Sequence, residues 1–293
     1  MLNKPTWQQR VFGIINGGVM ILLMITMFYP MWYVLCASLS DASTFLAHRG
    51  ALVLPLNPTL VAYEKAFEHP LIFTSYANTL FVVIVGTALS TVLTAITAYF
   101  MSRENVMFKR AISVLIVFTM YFGGGLIPFY FTVKSLGLKD SLWSLILPAV
   151  LSVYNIMVMR GGFDALPSSV EESARIDGAG HITILFRIMI PLAMPMVAVI
   201  ILYYGVSYWN AWFHASIFIN DRNKYPLQLV LRQILLTNDT HQMSMGVDSG
   251  DKMAIGETIK HAITMIATIP VLCLYPFLQK YFVKGIMVGA VKG

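Results

Sequence analysis

Six runs of this chain carry no Asp, Glu, Lys or Arg: Val11–Cys36, Thr74–Ser102, Ala111–Val133, Ser141–Met159, Ile188–Ile219 and His261–Gln279. A helix needs roughly 20 apolar residues to cross the ~30 Å hydrocarbon layer of a bilayer. At ~1.5 Å per residue, Val11–Cys36 would reach about 39 Å. Lipid offers no hydrogen-bond partner to a bare peptide group, so such runs must be helices. A membrane β-barrel would show shorter, alternating segments instead. The expected fold class is therefore an all-α membrane protein with six transmembrane helices. Composition agrees: 57% of residues are hydrophobic and 12% charged, whereas soluble domains carry about 25% charge. An ordinary soluble enzyme, a disordered chain and a nucleic-acid-binding domain are excluded.

Orientation follows from the basic residues, which accumulate on the cytoplasmic side. With a cytoplasmic N-terminus, segments 1–10, 103–110, 160–187 and 280–293 lie inside. Their 60 residues hold 11 of the 20 Lys and Arg; the 85 residues of 37–73, 134–140 and 220–260 hold nine. The balance favours both termini in the cytoplasm of a multi-pass protein. The net charge of +6 then reads as anchoring at the bilayer surface. Cys36 and Cys273 both lie in apolar runs, with neither metal-ligand spacing nor a disulfide framework.

Pro30, Pro128, Pro148, Pro195 and Pro270 fall inside the runs, and Gly123-Gly124-Gly125 interrupts the third. Such breaks survive in lipid where neighbouring helices or a watery path satisfy the freed backbone. Several in one bundle point to a translocation path. Segments 37–73 and 220–260, the latter with Asp221, Asp239, Asp248 and Asp251, read as ordered extracytoplasmic loops.

The inside segment 160–187 carries the densest chemistry. Glu171, Glu172, Arg175 and Asp177 fall within seven residues. Ser169 and Glu172 have the spacing of a capping box, Pro167 precedes them, and Gly178 or Gly180 can end the helix. A helix of about ten residues is marginal in water on its own, so this one, spanning about 169–178, should dock on something.

Glu172-Ser173-Ala174, three residues, Gly178, nine residues, then Ile188-Met189-Ile190-Pro191 resembles the Glu-Ala-Ala loop of ATP-binding cassette importer permeases. Ser173 for Ala and Ile190 for Leu are the departures. The string from Pro167 to Gly180 is similar to the sugar-importer branch, notably the maltose-type second permease. The tail Gly289-Ala290-Val291-Lys292-Gly293 resembles that family's C-terminus. The likeness covers residues 74–293 well and 1–73 more loosely.

The resemblance implies a type I importer permease fold in the bacterial cytoplasmic (inner) membrane. Residues 1–73 would form the first span and an outer loop, 74–282 the permease core, and 283–293 a cytoplasmic tail. Implied partners are a second homologous permease, an ATPase dimer, an extracytoplasmic solute-binding protein, a carbohydrate and membrane lipid, without nucleic acid. Glu171, Glu172, Ser173, Ala174, Arg175, Asp177, Gly178 and Pro191 would couple to the ATPase; Gly289, Val291, Lys292 and Gly293 would dock the tail. No P-loop occurs in the chain, so ATP and Mg would bind partner subunits, and no cofactor or metal is expected here.

Tyr203, Tyr204, Tyr208, Trp209, Asn210 and Trp212 crowd the fifth run. Aromatic faces suit sugar rings, and Asn offers both donor and acceptor, so they are candidates for the substrate path. The same residues also suit membrane interfaces. An oligosaccharide, including a uronate-containing one, is the expected cargo; peptides or amino acids are the alternative within the class. A membrane-embedded glycan-processing enzyme would need acidic or His groups at mid-membrane, and the runs offer none.

Overall fold

The computed structural model describes residues 6–103, 106–237, 256–273 and 276. Those residues are helical or irregular, with no strand among them. They fall into two compact units, one drawn from 1–69 and 233–268, the other from 70–232 and 269–293.

The first unit begins with α1 (Trp7–Ser38), one unbroken helix through Pro30. Thr6 and Gln9 form a reciprocal capping box at its start. Its apolar length is exposed, as a lipid-facing helix requires. At its far end Cys36, Ala37 and Leu52 form a small core with Trp32, Tyr33, Phe45 and Leu56. The following loop holds α2 (Ala42–Ala47) and α3 (Val61–Phe67). It is pinned to α1: Trp32 Nε1 donates to the Val53 carbonyl at 2.8 Å, and the Leu52 N–H donates to the Tyr29 hydroxyl at 3.1 Å. Part of segment 37–73 is thus held against the end of α1.

The second unit is built around α4 (Ile72–Ser102), which lies along α12 (Met194–Trp209) and α8 (Val153–Asp164). The inward face of α4 reads Ser75, Thr79, Val82, Gly86, Ser90, Thr94 and Ala98, small residues spaced by four except where Val82 stands between Thr79 and Gly86. Lipid gives helices no hydrophobic reason to associate, so close backbone approach and side-chain hydrogen bonds must do it. Both occur here. A Cβ at Gly86 would lie 2.8 Å from the Tyr208 ring. Ser90 and Thr94 meet the hydroxyls of Tyr208 and Tyr204 at 2.9 and 2.8 Å.

The other runs of this unit are jointed. The third becomes α5 (Lys109–Tyr121) and α6 (Leu126–Ser135), bent by 116° at the glycine triplet. The fourth becomes α7 (Trp143–Ile146) with a short 3-10 turn, then α8, bent by 53°. The fifth starts earlier than expected, as α10 (His181–Ile184), a π turn and α11 (Ile190–Leu192); α12 then leaves at 89°. Pro191 has no N–H for the Arg187 carbonyl, and the turn before it is widened. Among the described residues two helices are unbroken and long enough to span, or five counting each bent pair. Of the sixth run, residues 261–273 and 276 are described, the former within a helix over 256–273, α15.

A clasp joins the turn after α6 to the loop after α13 (Phe213–Phe218). Asp140, at φ +61°, accepts the N–H groups of Asn220 and Asp221, both at 3.0 Å, and its carbonyl accepts Lys224 Nζ at 2.9 Å. The backbone donors, Asp221 first, hold its carboxyl below the usual carboxylate range.

Candidate functional site

The coupling segment forms α9 (Ser168–Ile176). The expected capping box is not made. Pro167 occupies the N-cap and gives no side-chain bond, so Ser169 lies inside the first turn and its carbonyl accepts the Ser173 hydroxyl at 2.8 Å. The sequence expectation placed the cap two residues late. Gly178, at φ +80°, ends the helix in the left-handed conformation that L side chains avoid.

The helix has two different faces. Glu171 is only 5% exposed, with Ala174 beside it. Glu172, Ser173, Arg175, Ile176 and Asp177 are exposed, Ile176 at 86%. Glu171, grouped by its sequence position with the docking residues, is turned inward. One of its oxygens accepts Arg175 Nη2 at 2.7 Å and the Tyr99 hydroxyl at 3.1 Å; the other pairs with Arg103. The Arg103 guanidinium lies 5.0 Å from the centre of the Tyr99 ring, and burial lowers its pKa from the ordinary arginine value. The Tyr99 oxygen also meets His181 Nδ1 at 3.2 Å. Because Tyr99 gives its one proton to a carboxylate, His181 must be the donor in that contact. Removing one partner of a buried ion pair costs about 3–5 kcal/mol, since the other is left uncompensated. Arg103, Tyr99 and His181 were not marked by sequence; the i,i+4 spacing of Glu171 and Arg175 was the available hint.

A polar cavity of about 710 Å³ opens beside α9, lined by Arg103, Lys109, Arg160, Asp164, Glu172 and Arg175 among others. Pro191 lies on α11, beyond the π turn. Gly289, Val291, Lys292 and Gly293 lie outside the described residues, as do Asp239, Asp248 and Asp251.

The aromatic group on the fifth run divides. Tyr204 and Tyr208 are each 3% exposed, and their hydroxyls are committed inward. Tyr204 accepts the Ser152 N–H at 3.0 Å besides its Thr94 contact. Tyr208 donates to the Ile146 carbonyl at 3.3 Å, so Ser90 donates to it. Trp209 is buried edge-on to Tyr76, and Asn210 donates to its own helix at Val206. These four were expected as path residues; the structure gives their polar groups or rings to internal contacts. Tyr203, 39% exposed, faces a depression of about 760 Å³ lined also by Ser152, Tyr154, Asn155 and Ser207, with Tyr204 and Tyr208 bordering it from their buried positions. Trp212 carries the Arg232 guanidinium 3.4 Å from its ring centre, on α14 (Leu227–Thr237). Among the described residues Arg232 has no carboxylate partner.

Residues 19–288 match the family described as binding-protein-dependent transport system inner membrane component. The chain belongs to this family. It is similar to the polygalacturonan/rhamnogalacturonan transport system permease protein YtcP of Bacillus subtilis, 38% identical over 98% of this chain and all of that one. Protein LplC of the same organism is 39% identical over 97% of this chain and 96% of that one. The solved structure of a bacterial ATP-binding cassette transporter involved in import of the acidic polysaccharide alginate aligns with a TM-score of 0.84 and 32% identity. That alignment covers 94% of this chain and 98% of that chain. The family member described here is thus an inner-membrane permease component of an ATP-binding cassette importer, a transport part and not an enzyme.

Proposed function

We propose that this permease forms half of the translocation path for an acidic oligosaccharide and passes ATP-driven movement from separate ATPase subunits into that path. The outer face of α9, without an ion pair at Glu172 among the described residues, carries the reading. Ile176 at 86% exposure, flanked by Glu172 and Asp177, has the form of an apolar anchor with a charged rim. An ATPase groove is the natural socket, with Glu172 meeting a basic residue there. ATP and Mg would bind those partners. The tail Gly289–Gly293 would add a second contact. A homologous second permease would complete the path, and a solute-binding protein would deliver cargo near segment 220–260. The arrangement requires six spans with both termini in the cytoplasm, which the distribution of Lys and Arg supports.

Cargo chemistry is supported from two sides. The depression around Tyr203, Tyr154, Asn155 and Ser207 pairs aromatic faces with hydroxyl and amide groups, as sugar recognition needs. Arg232, without a carboxylate partner among the described residues, offers its fork to a carboxylate while held 3.4 Å from the centre of the Trp212 ring. The relatives named for acidic polysaccharides point the same way.

The test uses vesicles holding the full complex, loaded through the binding protein with a labelled trigalacturonate. Wild-type uptake should require ATP, and Glu172→Lys should hydrolyse ATP without uptake. Full uptake by that variant would defeat the coupling role of α9. ATP-dependent uptake of neutral maltotriose but not of trigalacturonate would defeat the cargo reading.

A further inference from the structure

We infer that Glu171 is the positioning residue that locks α9 to the Arg103 end of α4, so that the two helices move as one piece. The inference rests on α9 being the coupling helix and adds the device by which its movement enters the bundle. One buried carboxylate gathers Arg175 of its own helix, Tyr99 of α4 and Arg103 just past α4. Tyr99 extends the cluster to His181 of α10 and packs edge-on to Phe163 of α8. The segments before and after α9 are therefore tied to the same point. Neither oxygen of Glu171 is free to meet an ATPase, whereas Glu172, one residue on, is exposed with no ion pair among the described residues. Adjacent acidic residues thus divide the work: Glu172 faces outward to the partner and Glu171 inward to the span.

The lock has a reason to be charged. A short helix hinged at Pro167 and Gly178 could roll about its own axis under load. A carboxylate whose two oxygens meet different groups at the end of α4, Tyr99 through one and Arg103 through the other, resists rolling, because rotation of α9 breaks both contacts at once. An apolar contact alone would let the helix slide, since dispersion is non-directional.

The experiment uses the assembled complex in nanodiscs, with Cys36 and Cys273 replaced by Ala and spin labels at Ser169→Cys on α9 and Ile96→Cys on α4. The label distance is read by pulsed electron resonance without nucleotide and after vanadate trapping with ATP. In the parent chain the distance should be the same in both states and narrowly distributed. Glu171→Gln should make it differ between states or broaden it, while Glu171→Asp keeps most of the restraint. Cargo moved per ATP should fall about tenfold or more in Glu171→Gln, the scale of a coupling free energy. Should Glu171→Gln fail to assemble, Arg103→Lys, which keeps the charge and loses the fork, should broaden the distance in the same sense. A purely structural role would lower yield and leave the distance narrow and state-independent, overturning the inference. A state-dependent distance in the parent chain would also overturn it. Full uptake by Glu172→Lys would instead defeat the coupling reading, and the distances stand apart from that result.

Discussion

Tyr203 and Tyr204 are neighbours in sequence and should answer to opposite assays. Tyr204→Phe removes one oxygen that serves the Thr94 hydroxyl at 2.8 Å and the Ser152 N–H at 3.0 Å. Phe fills the same volume, so no cavity term enters. The loss is that of hydrogen bonds to a hydroxyl only 3% exposed, beside the depression that Ser152 also lines. An unsatisfied buried donor costs about 1–3 kcal/mol. Side-chain bonds within membranes average nearer 0.6 kcal/mol, because the loosened state also finds partners. With Thr94 able to turn back to its own helix, the Ser152 N–H is the main orphan, and about 1–2 kcal/mol is expected. At roughly 2–4 °C per kcal/mol for a chain of this order, the melting midpoint in detergent should fall by about 2–8 °C. Transport per folded molecule should change little. Tyr203→Phe should do the reverse, leaving the midpoint within about 2 °C while raising the apparent KM for trigalacturonate. Nanodisc-held complexes measured by tryptophan fluorescence on heating, beside uptake in vesicles, separate the two. If Tyr204→Phe keeps its midpoint but loses uptake, the division of these tyrosines into packing and path is wrong.

Further outcomes follow from other contacts. Gly86→Val would drive a branched side chain into the Tyr208 ring, 2.8 Å from the first added carbon; overpacking of about 1–3 kcal/mol should appear as a lower midpoint than for Gly13→Val, which meets open space. Ile176→Asp should reduce co-purification of the ATPase without reducing the amount of permease in the membrane, since the side chain is 86% exposed. Arg232→Gln should weaken uptake of trigalacturonate about tenfold and leave a neutral trisaccharide, where it is carried at all, unchanged; equal losses would remove Arg232 from charge recognition. Asp140→Ala should speed hydrogen exchange at the Asn220 and Asp221 amides. Asp140's folded pKa is depressed, so its contribution is present above the ordinary carboxylate range and is lost as pH falls through the lowered value, below about 4.

The membrane character was legible because Asp, Glu, Lys and Arg are absent from whole runs, a signal that no packing detail can mask. The joints were partly legible. Gly123-Gly124-Gly125 announces a break, but nothing in composition says that it turns the chain by 116°. The coupling loop was legible as a string and not as a surface. Glu171 and Glu172 are alike by composition, and helical phase alone decides which is buried. The apolar residues available to set that phase, Val170, Ala174 and Ile176, do not share one face, and the structure leaves Ile176 outward. The aromatic crowd on the fifth run misled for a related reason. A tyrosine that reaches sugar and one that satisfies Ser90 look the same until its partner on α4 is known. The stripe of small residues on α4, Ser75 and Thr79 and then Gly86, Ser90, Thr94 and Ala98 at every fourth position, was the missing half of that reading.

The same stripe bears on how such a permease can change shape at all. Ser90 and Thr94 are pinned to Tyr208 and Tyr204, and Gly86 sits under the Tyr208 ring. Slip or twist between α4 and α12 would break these contacts at once, so the pair behaves as a keel. Deformation must then fall on the articulated segments, where the backbone already departs from helix at 53°, 89° and 116°. Residues at those joints, rather than on the keel, are where small substitutions should tune the speed of the cycle without moving its end states.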